Sequence, residues 1–505
     1  MGSIRAHISK LYLNISKYGT YEPLFYFLSL AALAVSINPG IISYEIYDMD
    51  EIWNYQFARR ILYGFVPYKD FAMLPLPLSA QLNGWILSLT KDELVIMRWI
   101  ASLVAIINAL IFLRILRLIG KNHLIAIFYT ACFLSLFLVY PKNNYSWYAV
   151  MFLATALLFE LRKVIGDHRS LFYELWIGMM LGLVTITKQN VGLAGLFASY
   201  IFLIYYSQSG TDFVRSAIFK FGGWAFIVGA ELLYLSRDVG LLSLLNFMYT
   251  NLTKFTGYAS IPYRELFSNE IVWIFVASVL VAILAVLTIG VLTKNEKQRK
   301  LAILIALYSL ANFAMVIPIP DWLHLIFGMP ISILAIAVIF PNTEEKRKKA
   351  VLILLCFVIL CSLLGQLSNR QPIADAEIQI NHYQNAGFPL EYKERIRDMD
   401  DLILNEEARG QVVYFLNYQS AFYLIPLNKF AYRYDDIIGS GSVGETEMIN
   451  KIVGEENITV IIRGIQSPKN WQETEKIEDY VRSTMHYKHS IHGFDVYERS
   501  TELSF

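Results

Sequence analysis

Charge is what this chain has least of. Asp, Glu, Lys and Arg make up 17% of its 505 residues, and hydrophobic types make up 56%. A soluble domain carries about 25% charged residues. A deficit of that size, with a mean hydropathy of +0.44, excludes an ordinary soluble protein and leaves a multi-spanning membrane protein. Cysteine is also scarce. Cys132, Cys356 and Cys361 all lie in apolar stretches, so no disulfide framework supports the polar C-terminal part. The net charge of +1 provides no basic excess for a nucleic-acid partner. The sequence has no internal repeat and no low-complexity tract. Its polar tail lacks both a phosphate-binding glycine loop and metal-ligand spacing.

What is present is a series of apolar segments. A spanning helix needs about 20 apolar residues. Candidates lie near 21–43, 94–116, 123–141, 145–162, 170–187, 190–207, 214–235, 268–292, 299–317, 321–340 and 349–367. The first follows Arg5, Lys10 and Lys17 with no small-residue cleavage site after it, and reads as a retained signal anchor. Segment 74–90 is short, opens Leu74-Pro75-Leu76-Pro77 and contains Gln81, Asn83 and Gly84.

Lysine and arginine placement decides whether that segment crosses. The basic connections are Arg114/Arg117/Lys121, Arg162/Lys163/Arg169, Lys294/Lys297/Arg299/Lys300 and Lys346/Arg347/Lys348/Lys349. With a cytoplasmic N-terminus all four fall inside only if 74–90 stays at the interface. The expectation is a polytopic α-helical membrane protein of the plasma (inner) membrane. It has about 11 spans, with interfacial helices in a first outer loop near 44–93. Residues 1–367 form the membrane domain. Residues 368–505 form a small extracytoplasmic α/β domain. Within it, 411–416 and 458–462 read as short buried strands, and 391–408, 445–456 and 470–485 have helical composition.

On this topology the unusual polar residues gather on the outer side: Asp48/Asp50/Glu51, Lys69/Asp70, Lys142/Asn143/Asn144, Lys188/Gln189/Asn190 and Asp321/His324. Asp48-x-x-Glu51 fits a capping box for a helix running to about Tyr63, with Gly64 just beyond its end. That accounts for Asp48 and Glu51 and leaves Asp50 without a structural duty. Helical spacing pairs Glu51 with Arg59 rather than Asp50 with Arg59. Lys188 is either a snorkelling lysine or an ammonium placed to hold a lipid phosphate. Lys69 is a second, weaker candidate of that kind. His324, one turn into a span, fits a hydrogen-bonded interfacial residue. The Asp48-x-Asp50 spacing is too small a set for a hard-cation site, so no metal and no cofactor is assigned.

The run Asp50-Glu51-Ile52-Trp53-Asn54-Tyr55-Gln56-Phe57-Ala58-Arg59-Arg60-Ile61-Leu62-Tyr63-Gly64, followed by Pro67-Tyr68-Lys69-Asp70-Phe71, resembles the first outer loop of GT-C glycosyltransferases. The branch it resembles contains protein O-mannosyltransferases and lipid A aminoarabinose transferases. Asp50 and Glu51 match an acidic pair of that loop, Arg59 an arginine beyond it, and Thr187-Lys188 a later Thr-Lys motif. Asp321-Trp322-Leu323-His324 through Met329-Pro330 is similar to a late span start. Two places depart from the pattern. Leu74-Pro75 stands where the branch has Lys-Pro, and Asn143-Asn144 where many relatives have a second aspartate.

The resemblance implies a cell-envelope glycosyltransferase, mannosyltransferase-like in type. Its donor would be a polyprenyl-phosphate sugar and its acceptor a lipid, glycan or protein. Asp50 is then the general base, with Glu51 beside it orienting the loop. Lys188, Arg59 and Lys69 are the candidates for the donor phosphate, and Asp48, Asn144 and His324 lie at the margin. The alternative is a non-enzymatic flippase, transporter or binding protein for lipid-linked sugars. A transporter would need ionisable residues buried along the spans.

Overall fold

The computed structural model describes residues 49–73, 75–121, 123–166, 170–246, 248–249, 270–317, 319, 321–339, 380–384, 390–430, 441–467 and 475–499. The expected spans 21–43 and 349–367, and Asp48, lie outside the described residues. The helices α1 (Met49–Leu62), α2 (Leu78–Leu89), α3 (Leu94–Leu118), α4 (His123–Val139) and α5 (Tyr145–Gly166) come first. Then follow α6 (Leu171–Thr185), α7 (Gln189–Tyr206), α8 (Gly210–Val239), α9 (Glu270–Leu292) and α10 (Glu296–Phe313).

Among the described residues three helical stretches are both long and apolar enough to cross a membrane, Leu94–Leu118, Gly210–Val239 and Glu296–Val316. Segment 74–90 contains only the 12-residue α2, about 18 Å long and well short of a 30 Å hydrocarbon core. The expected span 321–340 is broken. Asp321 caps α11 (Trp322–Gly328), and Pro330 starts α12 (Pro330–Ile339) at the first-turn position where its missing N–H costs nothing.

Helix α5 runs through the middle of the bundle, touching α3, α6, α10 and α2. The fully buried Trp147 anchors it between the rings of Phe133, Phe137 and Phe327. Helices α6 and α8 approach more closely than side chains allow. A Cβ on Gly178 would sit 1.9 Å from the Lys220 carbonyl oxygen, and one on Gly223 would lie 2.2 Å from that of Leu175. Glycines at a close crossing of this kind are common between membrane helices.

The basic start of α10 meets the ends of α5 and α7. Lys297 donates to the Ile165 carbonyl at 3.2 Å, and Arg299 and Lys300 lie over the rings of Tyr205 and Tyr206. Helix α1 packs against α14 of the C-terminal part.

The C-terminal part comprises α13 (Leu390–Ala408), β1 (Val412–Leu416), α14 (Ser420–Leu424), α15 (Gly441–Gly454), β2 (Ile458–Arg463), α16 (Glu475–Thr484), β3 (His486–Ile491) and β4 (Phe494–Glu498). The sheet order is β1-β2-β4-β3, with β1 parallel to β2 and the other pairs antiparallel. The apolar runs at 411–416 and 458–462 form the two parallel strands, as their composition predicts. The β3–β4 hairpin was not expected. It turns at His492 and Gly493, both at positive φ, the conformation a tight two-residue turn needs.

Candidate functional site

Asp50 and Glu51 occupy the first turn of α1, where carboxylates favour the helix dipole. Adjacent in sequence, they face different surroundings. Asp50 is half-buried, whereas Glu51 has no exposed surface. The Glu51 carboxylate is held by both edges of Arg98, Oε1 to Nε at 2.7 Å and Oε2 to Nη2 at 2.9 Å. Burial pushes the Glu51 carboxyl up, but the Arg98 charge and hydrogen bonds, with Lys142 adding to them, hold it below its ordinary range. The expected Glu51–Arg59 pair is therefore corrected. The two are eight residues apart, about 12 Å along α1, and each meets a nearer partner from another segment. Glu51 fastens the first turn of α1 to α3 and leaves Asp50 as the accessible acid.

Lys188 reaches the same place from the α6–α7 connection. Its backbone is extended at the α7 N-cap position, so the chain leaves α6 and re-enters a helix around it. The side chain points inward, with Nζ 3.2 Å from Ser146 Oγ and 5.2 Å from the Tyr145 ring centre. Burial pulls the amine down to about 8, against the attraction of Asp321 and Asp50. Those interactions bring Asp50, Lys188 and Asp321 into one electrostatic group, although they come from three separate parts of the chain.

Asp321 accepts both the backbone N–H and the ring Nδ1 of His324, at 2.7 and 2.8 Å. His324 thus serves a helix start. Asn144 does the same for α5, its Oδ1 accepting the Ser146 N–H at 2.8 Å. Asn143 ties α2 to α3, exchanging hydrogen bonds with Asn83 and donating to the Met97 carbonyl at 3.2 Å. Tyr148 completes the set, its hydroxyl donating to Asn83 Oδ1 at 2.5 Å. This neutral cluster fixes α2 against the bundle.

The structure does not bring Arg59 or Lys69 into the group. Arg59 is wholly buried on the opposite side of α1, its Nε 2.9 Å from Asp92 and its Nη2 2.6 Å from Asn428 Oδ1. Its guanidinium also lies over the rings of Tyr55, Tyr63 and Phe430. That arrangement joins α1 to the C-terminal part and gives no approach to a phosphate. Lys69 is half-exposed in the Pro67–Phe71 turn and reaches Asp238 of α8 at 4.0 Å. Among the described residues no three His, Cys, Asp or Glu side chains converge as metal ligands.

Arg98 escaped the sequence reading, though a charge within an apolar segment is itself a signal. Asp92 and Ser146 gave none. A second buried group also went unread: Glu160 and Lys163 of α5, Glu174 of α6 and Lys220 of α8 form an interlocked quartet, with Lys220 2.8 Å from Glu160. Ser199 of α7 donates to Glu160 at 2.6 Å. The quartet is balanced, two cations against two carboxylates.

The chain has the fold of a solved membrane enzyme. The crystal structure of ArnT from Cupriavidus metallidurans bound to undecaprenyl phosphate matches it with a TM-score of 0.55, over 96% of this chain and 99% of that one, at 13% identity. The arabinofuranosyltransferase AftD from Mycobacteria matches 95% of this chain and 42% of its own, with a TM-score of 0.46 and 12% identity. The likeness to ArnT is one of fold. No protein-family model and no curated protein matches the sequence.

Proposed function

We propose that this protein is a membrane glycosyltransferase that moves a sugar from a polyprenyl-phosphate carrier to an acceptor at the extracytoplasmic face. The observation that carries the reading is that Lys188, a buried amine between α6 and α7, feels the charge of Asp50, a half-buried acid in the first turn of α1, in a chain with the ArnT fold. ArnT was solved with undecaprenyl phosphate bound.

The chemistry suits two such groups. A sugar phosphate carries its own leaving group, so no second carboxyl is required to protonate it. Asp50 takes the proton from the acceptor hydroxyl as general base. The acceptor oxygen bonds to the anomeric carbon as the bond from that carbon to the phosphate oxygen breaks, and the carrier leaves as polyprenyl phosphate. Attack opposite the leaving group inverts the anomeric centre. Lys188 stabilises the departing phosphate as a point charge.

Glu51 acts through Arg98 to hold the first turn of α1, and is a positioning residue in this scheme. Arg59 and Lys69 have no part in phosphate binding. The transporter reading requires ionisable groups lining a path. The buried quartet is internally paired between three helices and offers no such line.

The test is release of carrier phosphate from labelled polyprenyl-phosphate sugars by the purified protein. Asp50→Asn keeps the shape of the side chain and removes the base, so kcat should fall by about 10²–10⁴-fold with donor binding and thermal stability kept. Near-normal turnover in that variant would refute the assignment.

A further inference from the structure

A cleft of about 630 Å³ separates the far end of α1 and the turn after it from the sheet of the C-terminal part. Its size is that of a small-molecule site. Two features of its lining define what it suits. Three cations, Arg60, Lys429 and Lys451, are set among three carboxylates, Asp70, Glu407 and Glu447. The wall between them includes Phe65 and Phe430, whose ring centres are 4.9 Å apart.

Such a lining disfavours both a strong anion and a strong cation, because its charges balance and Lys429 already pairs with Glu407. It suits a neutral ligand with many hydroxyls, which needs donors, acceptors and an apolar ring face together. Phe430 is also held firmly. Its ring packs on Tyr63 at 5.4 Å and under the Arg59 guanidinium at 5.2 Å, so the wall is built before any ligand arrives. Arg60 lies ten residues beyond Asp50 on the same helix, about 15 Å along its axis.

We propose that this cleft binds sugar units of a glycan acceptor, those lying beyond the hydroxyl that receives the transferred sugar. The proposal rests on the transferase reading above and narrows its acceptor to a glycan. A spacing of about 15 Å is the length of a few sugar residues, and the rigid α1 fixes it.

The test uses the full-length protein in lipid nanodiscs on an array of printed di- to hexasaccharides of common hexoses, pentoses, hexosamines and uronic acids, with a peptide array in parallel. Wild type and Asp50→Asn should bind the same oligosaccharides. Phe65→Ala and, separately, Lys451→Ala should weaken that binding by about tenfold or more. The second lies on α15, away from the Phe430 packing, and guards against a folding effect of the first. Binding to no oligosaccharide, equal binding by both cleft variants, or capture of peptides instead of glycans overturns the proposal. Carrier release, measured separately, distinguishes the two readings. Glycan binding without transfer removes the reaction and leaves the cleft, and transfer without glycan binding does the reverse.

Discussion

The Glu51–Arg98 pair allows a demanding test of how α1 is held. Both side chains are essentially without exposed surface and share two hydrogen bonds of 2.7 and 2.9 Å. Removing one partner of a buried pair costs about 3–5 kcal/mol, because the other charge is left uncompensated. At about 1.4 kcal/mol per tenfold, that shifts the unfolding equilibrium by more than a hundredfold. The two deletions differ in kind. In Glu51→Gln the arginine cannot shed its charge, so the full penalty stands at every pH. In Arg98→Gln the buried carboxyl can take up a proton instead.

The pH dependence should consequently reverse. In the wild type the Glu51 carboxyl is held below its unfolded value, so its contribution is present above the unfolded value and is lost as pH falls through the folded one. In Arg98→Gln burial, the largest influence, is opposed only by the weaker pull of Lys142, and the carboxyl rises. The folded state then binds more protons than the unfolded one, and stability falls as pH rises through that window. Chemical denaturation in mixed micelles between pH 4 and 8, followed by tryptophan fluorescence, measures both slopes. A Glu51→Gln variant as stable as wild type, or an Arg98→Gln variant with the wild-type slope, would show that the pair does not anchor the helix.

Lys188 loses its charge near pH 8, so the donor kcat/KM should fall as pH rises through that value. Lys188→Arg should move the fall to higher pH, and an unmoved limb would remove Lys188 from phosphate binding. Burial also makes the lysine bind its proton less tightly than in the unfolded chain. Its contribution to stability should therefore rise between about pH 8 and its ordinary value, as a pH-dependent denaturation series would record. Arg59→Lys keeps the charge but loses the fork that spans Asp92 and Asn428. Limited proteolysis should then cut the C-terminal part faster than in the wild type, and an unchanged digestion rate would contradict the joint.

Local signals were well expressed in this sequence. The acidic start of α1 and Gly64 after it marked a helix that runs Met49–Leu62, and Gly64 adopts φ +84. The β-branched run Ile458–Ile462, apolar but for Thr459, marked a strand buried on both faces. Pairings were much less legible. Arg59 meets Asp92, His382 and Asn428, separated from it by 33, 323 and 369 residues, and no helical wheel contains them. Strand β3, His-Tyr-Lys-His-Ser-Ile, is an exposed edge with little apolar alternation, so nothing in its composition announced it. Lys188 was legible as a candidate because it interrupts two apolar segments. Its depressed basicity was not, since that depends on burial which only packing creates.

The site's economy of acids follows from the same packing. Of the charged groups near the start of α1, Glu51 is spent on Arg98, and Asp321 on the His324 helix start. Asn144 is occupied in capping α5. Asp50 stands on a helix held from two sides, by Arg98 in the bundle and by contacts to the C-terminal part. Those contacts include the Trp53 indole N–H, which donates to the Tyr418 carbonyl at 3.3 Å, and the Arg59 joint further along. A base on so constrained a helix keeps its distance to Lys188. For a reaction whose leaving group needs no proton, that constancy matters more than a second carboxylate would, because misplacement by about 1 Å can cost a hundredfold in rate. The C-terminal part is then more than an appendage of the membrane bundle: through Trp53 and Arg59 it helps determine where the proposed base stands.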